Sequence, residues 1–124
     1  MGVLARTIGV IDDDARVLES LQNLLASSGY KAETYSSAEL FLASGALSRS
    51  SCIITDVEMR RMSGLGLLQH VRSRQSHVPV IIITGTPENS ETFYLDRGAN
   101  GFFTKPLDGD ALLTLINNQC RDAG

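Results

Sequence analysis

The chain has 124 residues, 43% of them hydrophobic and 20% charged, enough for one domain with a sizeable core. Its 11 basic and 14 acidic residues give a net charge of -3, which argues against nucleic-acid binding by this domain itself, because phosphate contacts draw on clustered Lys and Arg. The longest apolar run, Val78 to Ile83, contains a proline and is far too short to span a bilayer, and the N-terminus has no signal-peptide layout, so a cytoplasmic protein without membrane contact is expected.

Thr7 to Ile11 is a short apolar run and reads as a strand. Asp12, Asp13 and Asp14 follow directly. Asp14 suits the N-cap of a helix running to Ser28, with Val17, Leu18, Leu21, Leu24 and Leu25 on one face and Ser-Ser-Gly closing it. Lys31 to Tyr35 is a second strand, and Ser36 or Ser37 caps a helix through about Ala43. Cys52 to Thr55 is a buried strand ending at Asp56, and Leu65 to Arg74 a helix carrying Leu67, Leu68 and Val71. Val78 to Thr84 is the most apolar strand. A short polar helix ends at Gly98, and Gly101 to Thr104 forms the fifth strand, where Phe102 and Phe103 alternate and Phe103 is assigned to the core. Pro106 is expected to start a last helix with Leu112, Leu113, Leu115 and Ile116, fading by Cys120. Residues 1–6 and 120–124 are expected to be loose ends of one domain over 1–124.

Five strand–helix units predict an α/β fold: a single doubly wound five-stranded parallel sheet, covered on both faces and joined by right-handed crossovers. In such a sheet the carboxyl ends of the strands share one edge, where ligands bind. Strand one ends in Asp12 and Asp13, strand three in Asp56, strand four in Thr84 and strand five in Lys105. If strands one and three are neighbours, three carboxylates converge. They cannot all stay ionised without a cation, and a hard divalent ion with oxygen ligands, Mg2+ above all, fits. Lys105 and Thr84 are left over by the metal and suit a phosphoryl group, toward which a carboxylate can act as nucleophile. Each residue also has a plainer reading: Asp12 and Asp13 as helix N-terminal acids, Thr84 as a turn cap, Lys105 as a surface lysine. His70 and His77 pair with no other ligand type and read as surface residues. Cys52 and Cys120 form no ligand spacing and read as free thiols.

The stretches "VIDDD", "IITDVEM", "IIITGT" and "GFFTKPL", in this order and each at a strand end, resemble the receiver (CheY-like) domains of two-component response regulators over nearly the whole chain. The resemblance implies the flavodoxin/CheY-like strand order 2-1-3-4-5 with five helices. It implies Asp56 as phospho-acceptor, Asp13 as a direct Mg2+ ligand with Asp12 nearby through water, and Glu58 offering its backbone carbonyl to the metal. Thr84 and Lys105 would contact the phosphoryl group, the Lys105–Pro106 peptide would be cis, and Phe102 would be the switch aromatic working with Thr84. The partners implied are a sensor histidine kinase and an output domain in cis or a partner protein, reached through the face of helix four, strand five and helix five, through which a homodimer could also form. "GFFTKPL" resembles receivers that precede DNA-binding output domains. The resemblance makes the domain a phospho-acceptor that assists its own phosphorylation and dephosphorylation, not an enzyme with a turnover substrate.

Arg60 stands where the family often has Pro, so the loop from Val57 to Gly64 is expected to be less restrained, with Arg60 or Arg61 pairing with Glu58 or reaching the acid cluster. Two alternatives remain. A haloacid-dehalogenase-like phosphatase would use Asp12 as nucleophile in Asp12-x-Asp14, but leaves Asp56 without a role. A pseudo-receiver binding module would never take phosphate, but usually has a broken acid cluster.

Overall fold

The structure, a computed structural model, describes residues 6–120. In chain order it runs β1 (Thr7–Ile11), α1 (Ala15–Ser27), β2 (Lys31–Tyr35), α2 (Ala38–Ala43), a 3-10 turn (Ala46–Arg49), β3 (Cys52–Asp56), α3 (Gly64–Ser73), β4 (Val80–Thr84), α4 (Glu91–Asp96), β5 (Gly101–Thr104) and α5 (Gly109–Cys120). All five strands are parallel, in the order β2-β1-β3-β4-β5. β1 lies between β2 and β3, so the strand order reverses at β1 and β3 and opens a crevice at their carboxyl ends.

Alternation along the strands divides the core into two layers. Ile8, Val10, Ile54, Ile81 and Ile83 point to the face covered by α1 and α5, where they meet Leu21, Leu25, Leu112 and Ile116. Ile11, Ile53, Val80 and Ile82 point to the other face and meet Phe41, Leu67, Leu68, Val71 and Tyr94 from α2, α3 and α4. β3 and β4 are buried from end to end, which explains their unbroken apolar runs. The helix starts follow the serine and aspartate signals: Asp14 accepts from the Arg16 amide, Ser37 from Leu40, Ser63 from Gly66 and Ser90 from Phe93.

Several boundaries differ from the sequence expectation. α5 begins at Gly109, not at Pro106. Asp108 takes the capping position, its carboxylate accepting from the Ala111 amide and its carbonyl from Leu112. β4 begins at Val80, because Val78 gives its carbonyl to Arg72 instead of the ladder. The 3-10 turn carries no apolar periodicity and was not expected. Phe103 is half-buried against the α1/α5 layer and Phe102 half-buried against the opposite one, so neither is a full core residue. Cys52 and Cys120 are both free and buried in the α1/α5 layer; Cys120 is 1% exposed and not a loose end, and residues 1–5 and 121–124 lie outside the described residues. Among the described residues no helix is long and apolar enough to cross a membrane.

Candidate functional site

The parallel register brings the tips of β1, β3, β4 and β5 to one edge. Ile11 pairs with Thr55, Asp56 with Ile83, and Thr84 with Thr104, so the residues that end these strands converge. One carboxylate oxygen from each of Asp12, Asp13 and Asp56 lies within 4.8 Å of the others. Asp12 is fully buried and both its oxygens are engaged: Oδ1 accepts from the Asp14 amide and Oδ2 from Lys105 Nζ, each at 2.9 Å. Asp13 is exposed, and no ion pair among the described residues involves it.

Asp56 sits between these extremes. It is 4% exposed, and its Oδ1 lies 3.3 Å from Lys105 Nζ yet accepts no hydrogen bond. Burial, and then the neighbouring Asp12 charge, push its carboxyl up to about 6, while Lys105 pulls the other way. Burial works against the Lys105 charge, but the hydrogen bond to Asp12 and the charges of Asp12 and Asp56 outweigh it and hold the lysine above its ordinary value. A buried carboxylate oxygen without a donor is costly. An oxygen-only set of acids around it suits a hard divalent cation rather than a soft one, so the residues present fit Mg2+.

A close approach sets the floor of the crevice. A Cβ on Gly64 would stand 2.3 Å from the Asp56 carbonyl oxygen, so α3 can start here only with glycine. The Gly64 amide also donates to the Val57 carbonyl. The loop between is tied a second time: Glu39 of α2 accepts from the Met62 amide at 2.9 Å. The expected looseness of this loop is thus offset by a tether from a helix 23 residues away in sequence.

Thr84 is buried, and its hydroxyl donates to the Glu58 carboxylate, 2.7 Å from Oε2 and 2.9 Å from Oε1. The expected partnership of Glu58 with Arg60 or Arg61 is therefore not formed. Thr84 wins the carboxylate because β4 places its hydroxyl beside the Asp56–Glu58 turn, while both arginines extend into solvent. Phe102 stacks on Tyr94 of α4, with centroids 5.4 Å apart and planes at 18°. Tyr94 also lines, with Asp13, Glu58 and Met59, a cleft of about 530 Å³ at the mouth of the site. Tyr94 was invisible as a site residue in the sequence, where it reads only as an apolar position of a short helix. The Lys105–Pro106 peptide is cis. His77 is exposed and His70 half-buried, accepting at Nε2 from Arg74, both away from the acid cluster.

The fold is thus a doubly wound parallel sheet that gathers an acid trio and a lysine at its switch point, a donor set that fits a hard cation. The family model described as the response regulator receiver domain matches residues 8–117, and the chain belongs to that family. It is 41% identical over 112 residues to the transcriptional regulatory protein FixJ of Azorhizobium caulinodans, covering 88% of this chain and 52% of that protein. It is 37% identical over 113 residues to the response regulator protein TodT of Pseudomonas putida, covering 90% of this chain and 50% of that one. Among solved structures, full-length FixJ from B. japonicum superimposes with a TM-score of 0.84 at 34% identity, over 98% of this chain and 60% of the other. A response regulator receiver domain protein from Clostridium thermocellum gives 0.86 at 28% identity, over 95% and 96%. The chain spans about half the length of the curated relatives it matches. It is a receiver domain of the two-component type, a class of phosphorylation-dependent signalling switch.

Proposed function

We propose that Asp56 accepts a phosphoryl group from the phosphohistidine of a sensor histidine kinase. The observation that carries this reading is the idle oxygen of Asp56, buried beside Lys105 at the crevice while both oxygens of Asp12 are occupied. A carboxylate oxygen of Asp56 attacks phosphorus, the P–N bond breaks, and its electron pair returns to the imidazole nitrogen. Asp12, Asp13, Asp56 and the Glu58 backbone carbonyl would hold Mg2+, which when bound neutralises the acid cluster and the charge on the phosphoryl oxygens. Lys105 stands where it can exchange Asp56 for a phosphoryl oxygen, and Thr84 donates its hydroxyl to another.

The change of charge is then read out mechanically. As Thr84 turns toward the phosphoryl group, Phe102 follows into the space it leaves. Its stacking on Tyr94 carries the shift to α4 and the α4–β5–α5 face. A shift of about 10²-fold between the two states needs roughly 2.7 kcal/mol, which one or two charge-assisted hydrogen bonds supply. That face serves an output domain in cis, a partner protein or a second copy of the domain. The description of a relative as a transcriptional regulatory protein supports an output in transcription, with this domain itself not touching nucleic acid. The setting is the cytoplasm, and the acyl phosphate is lost by hydrolysis that the domain itself assists.

Intact-mass measurement after incubation with acetyl phosphate tests the reading. One phosphoryl group should appear with Mg2+ and be absent with EDTA or in Asp56→Ala. Incorporation that survives Asp56→Ala, or that ignores Mg2+, contradicts it.

A further inference from the structure

We propose that Glu58 is a latch on Thr84: its carboxylate holds the threonine hydroxyl in the resting state and sets how readily the domain switches. The inference rests on the phosphoryl-accepting reading above and concerns a side chain that reading does not use. Thr84 has a single hydroxyl proton. It is spent on Glu58, while the hydroxyl oxygen accepts from the Thr86 amide at 3.3 Å. Thr84 is 1% exposed, so water does not compete for that proton. A hydroxyl cannot donate to Glu58 and to a phosphoryl oxygen on Asp56 together. Switching therefore exchanges one charge-assisted hydrogen bond for another instead of adding one.

The exchange has a built-in release. Glu58 is two residues from Asp56 and exposed, so the carboxylate can swing into solvent. A phosphoryl group on Asp56 both competes for the hydroxyl and repels the carboxylate that holds it. The latch resists partial activation, because Mg2+ alone offers Thr84 no new acceptor, and it opens when the phosphoryl group arrives. Glu58 acts through Thr84 and is a positioning residue.

Beryllofluoride, a phosphoryl mimic, tests this by binding titration at saturating Mg2+, alongside three-bond couplings to the Thr84 methyl in the ligand-free protein. Glu58→Ala should bind beryllofluoride about tenfold more tightly than the wild type, the size of one charge-assisted hydrogen bond no longer given up. Glu58→Gln, which keeps an acceptor but loses the charge, should fall between them. The gain should vanish in a Thr84→Val background. The couplings should show one Thr84 rotamer in the wild type and averaging in Glu58→Ala. Wild-type binding that Glu58→Ala does not tighten, or a gain that persists in Thr84→Val, overturns the latch alone. No binding by any variant overturns the phosphoryl-accepting reading and the latch with it.

Discussion

The two ends of the sheet each hold a partly buried cation, and they use it in opposite ways. At the amino ends of β4 and β5, Arg72 donates to the carbonyls of Ser76, Val78 and Gly98 and to Asn100 Oδ1, and Asn100 Oδ1 in turn accepts from the Val80 amide. Every partner there is neutral, and the planar fork is filled. At the carboxyl ends, Lys105 meets two carboxylates with a third nearby, and one oxygen of Asp56 is left without a hydrogen bond. The first arrangement is finished and static, clamping α3 to the turn that enters β5. The second leaves a buried carboxylate oxygen idle, which on the proposed reading a cation and a phosphoryl group complete.

Substitutions at the two ends sharpen that contrast. Arg72→Ala takes the donor from three carbonyls, those of Ser76, Val78 and Gly98, and should cost about 3 kcal/mol in urea unfolding, while phosphoryl incorporation on the surviving folded protein continues. Loss of incorporation in a well-folded Arg72→Ala would break the comparison. Gly64→Ala forces a Cβ against the Asp56 carbonyl and should cost about 2 kcal/mol, displacing Asp56 as well, so here stability and incorporation fall together.

Asp56→Asn should act in the other direction. The folded carboxyl titrates at about 6, above its unfolded value, so ionising it costs stability. That cost is absent below about pH 4, grows as pH rises through about 6, and is full above it, amounting to about 3 kcal/mol. In metal-free buffer the wild type should lose this much across that window in denaturant midpoints, Asp56→Asn should not, and added Mg2+ should flatten the wild-type curve. A parallel pair of curves would show that the carboxylate is not under the strain described. The smallest effect is expected at Arg49→Ala, which breaks a partly exposed pair with Glu33 and long hydrogen bonds to the Ser44 carbonyl and the Tyr35 hydroxyl, and should cost about 0.5 kcal/mol.

What could be read from the sequence follows the same division. Asp12, Asp13, Asp56, Thr84 and Lys105 were legible because each ends an apolar run, and a parallel sheet gathers such ends without further information. The parallel sheet and both helix layers were legible for the same reason, through apolar runs and helical stripes, whereas the strand order came only from the resemblance to the receiver family. Partner choice was not. Glu58 pairs with Thr84 and not with the nearby arginines, Glu39 reaches Met62, Gly64 sits under the Asp56 carbonyl, and Tyr94 lies on Phe102. Each of these depends on where two loops or a short helix come to rest across the chain, and local pattern carries no distance of that kind. Arg72 was hidden for a related reason: an arginine late in a helix reads as a solvated end, and only the return of Gly98 and Asn100 makes it a clamp.

The central claim is that Asp56 takes the phosphoryl group. Trapping the acyl phosphate by borohydride reduction after treatment with acetyl phosphate and Mg2+, followed by peptide mass spectrometry, locates it directly. The reduced adduct is expected at Asp56 alone; an adduct at Asp12 or Asp13, with Asp56 unmodified, would contradict the account.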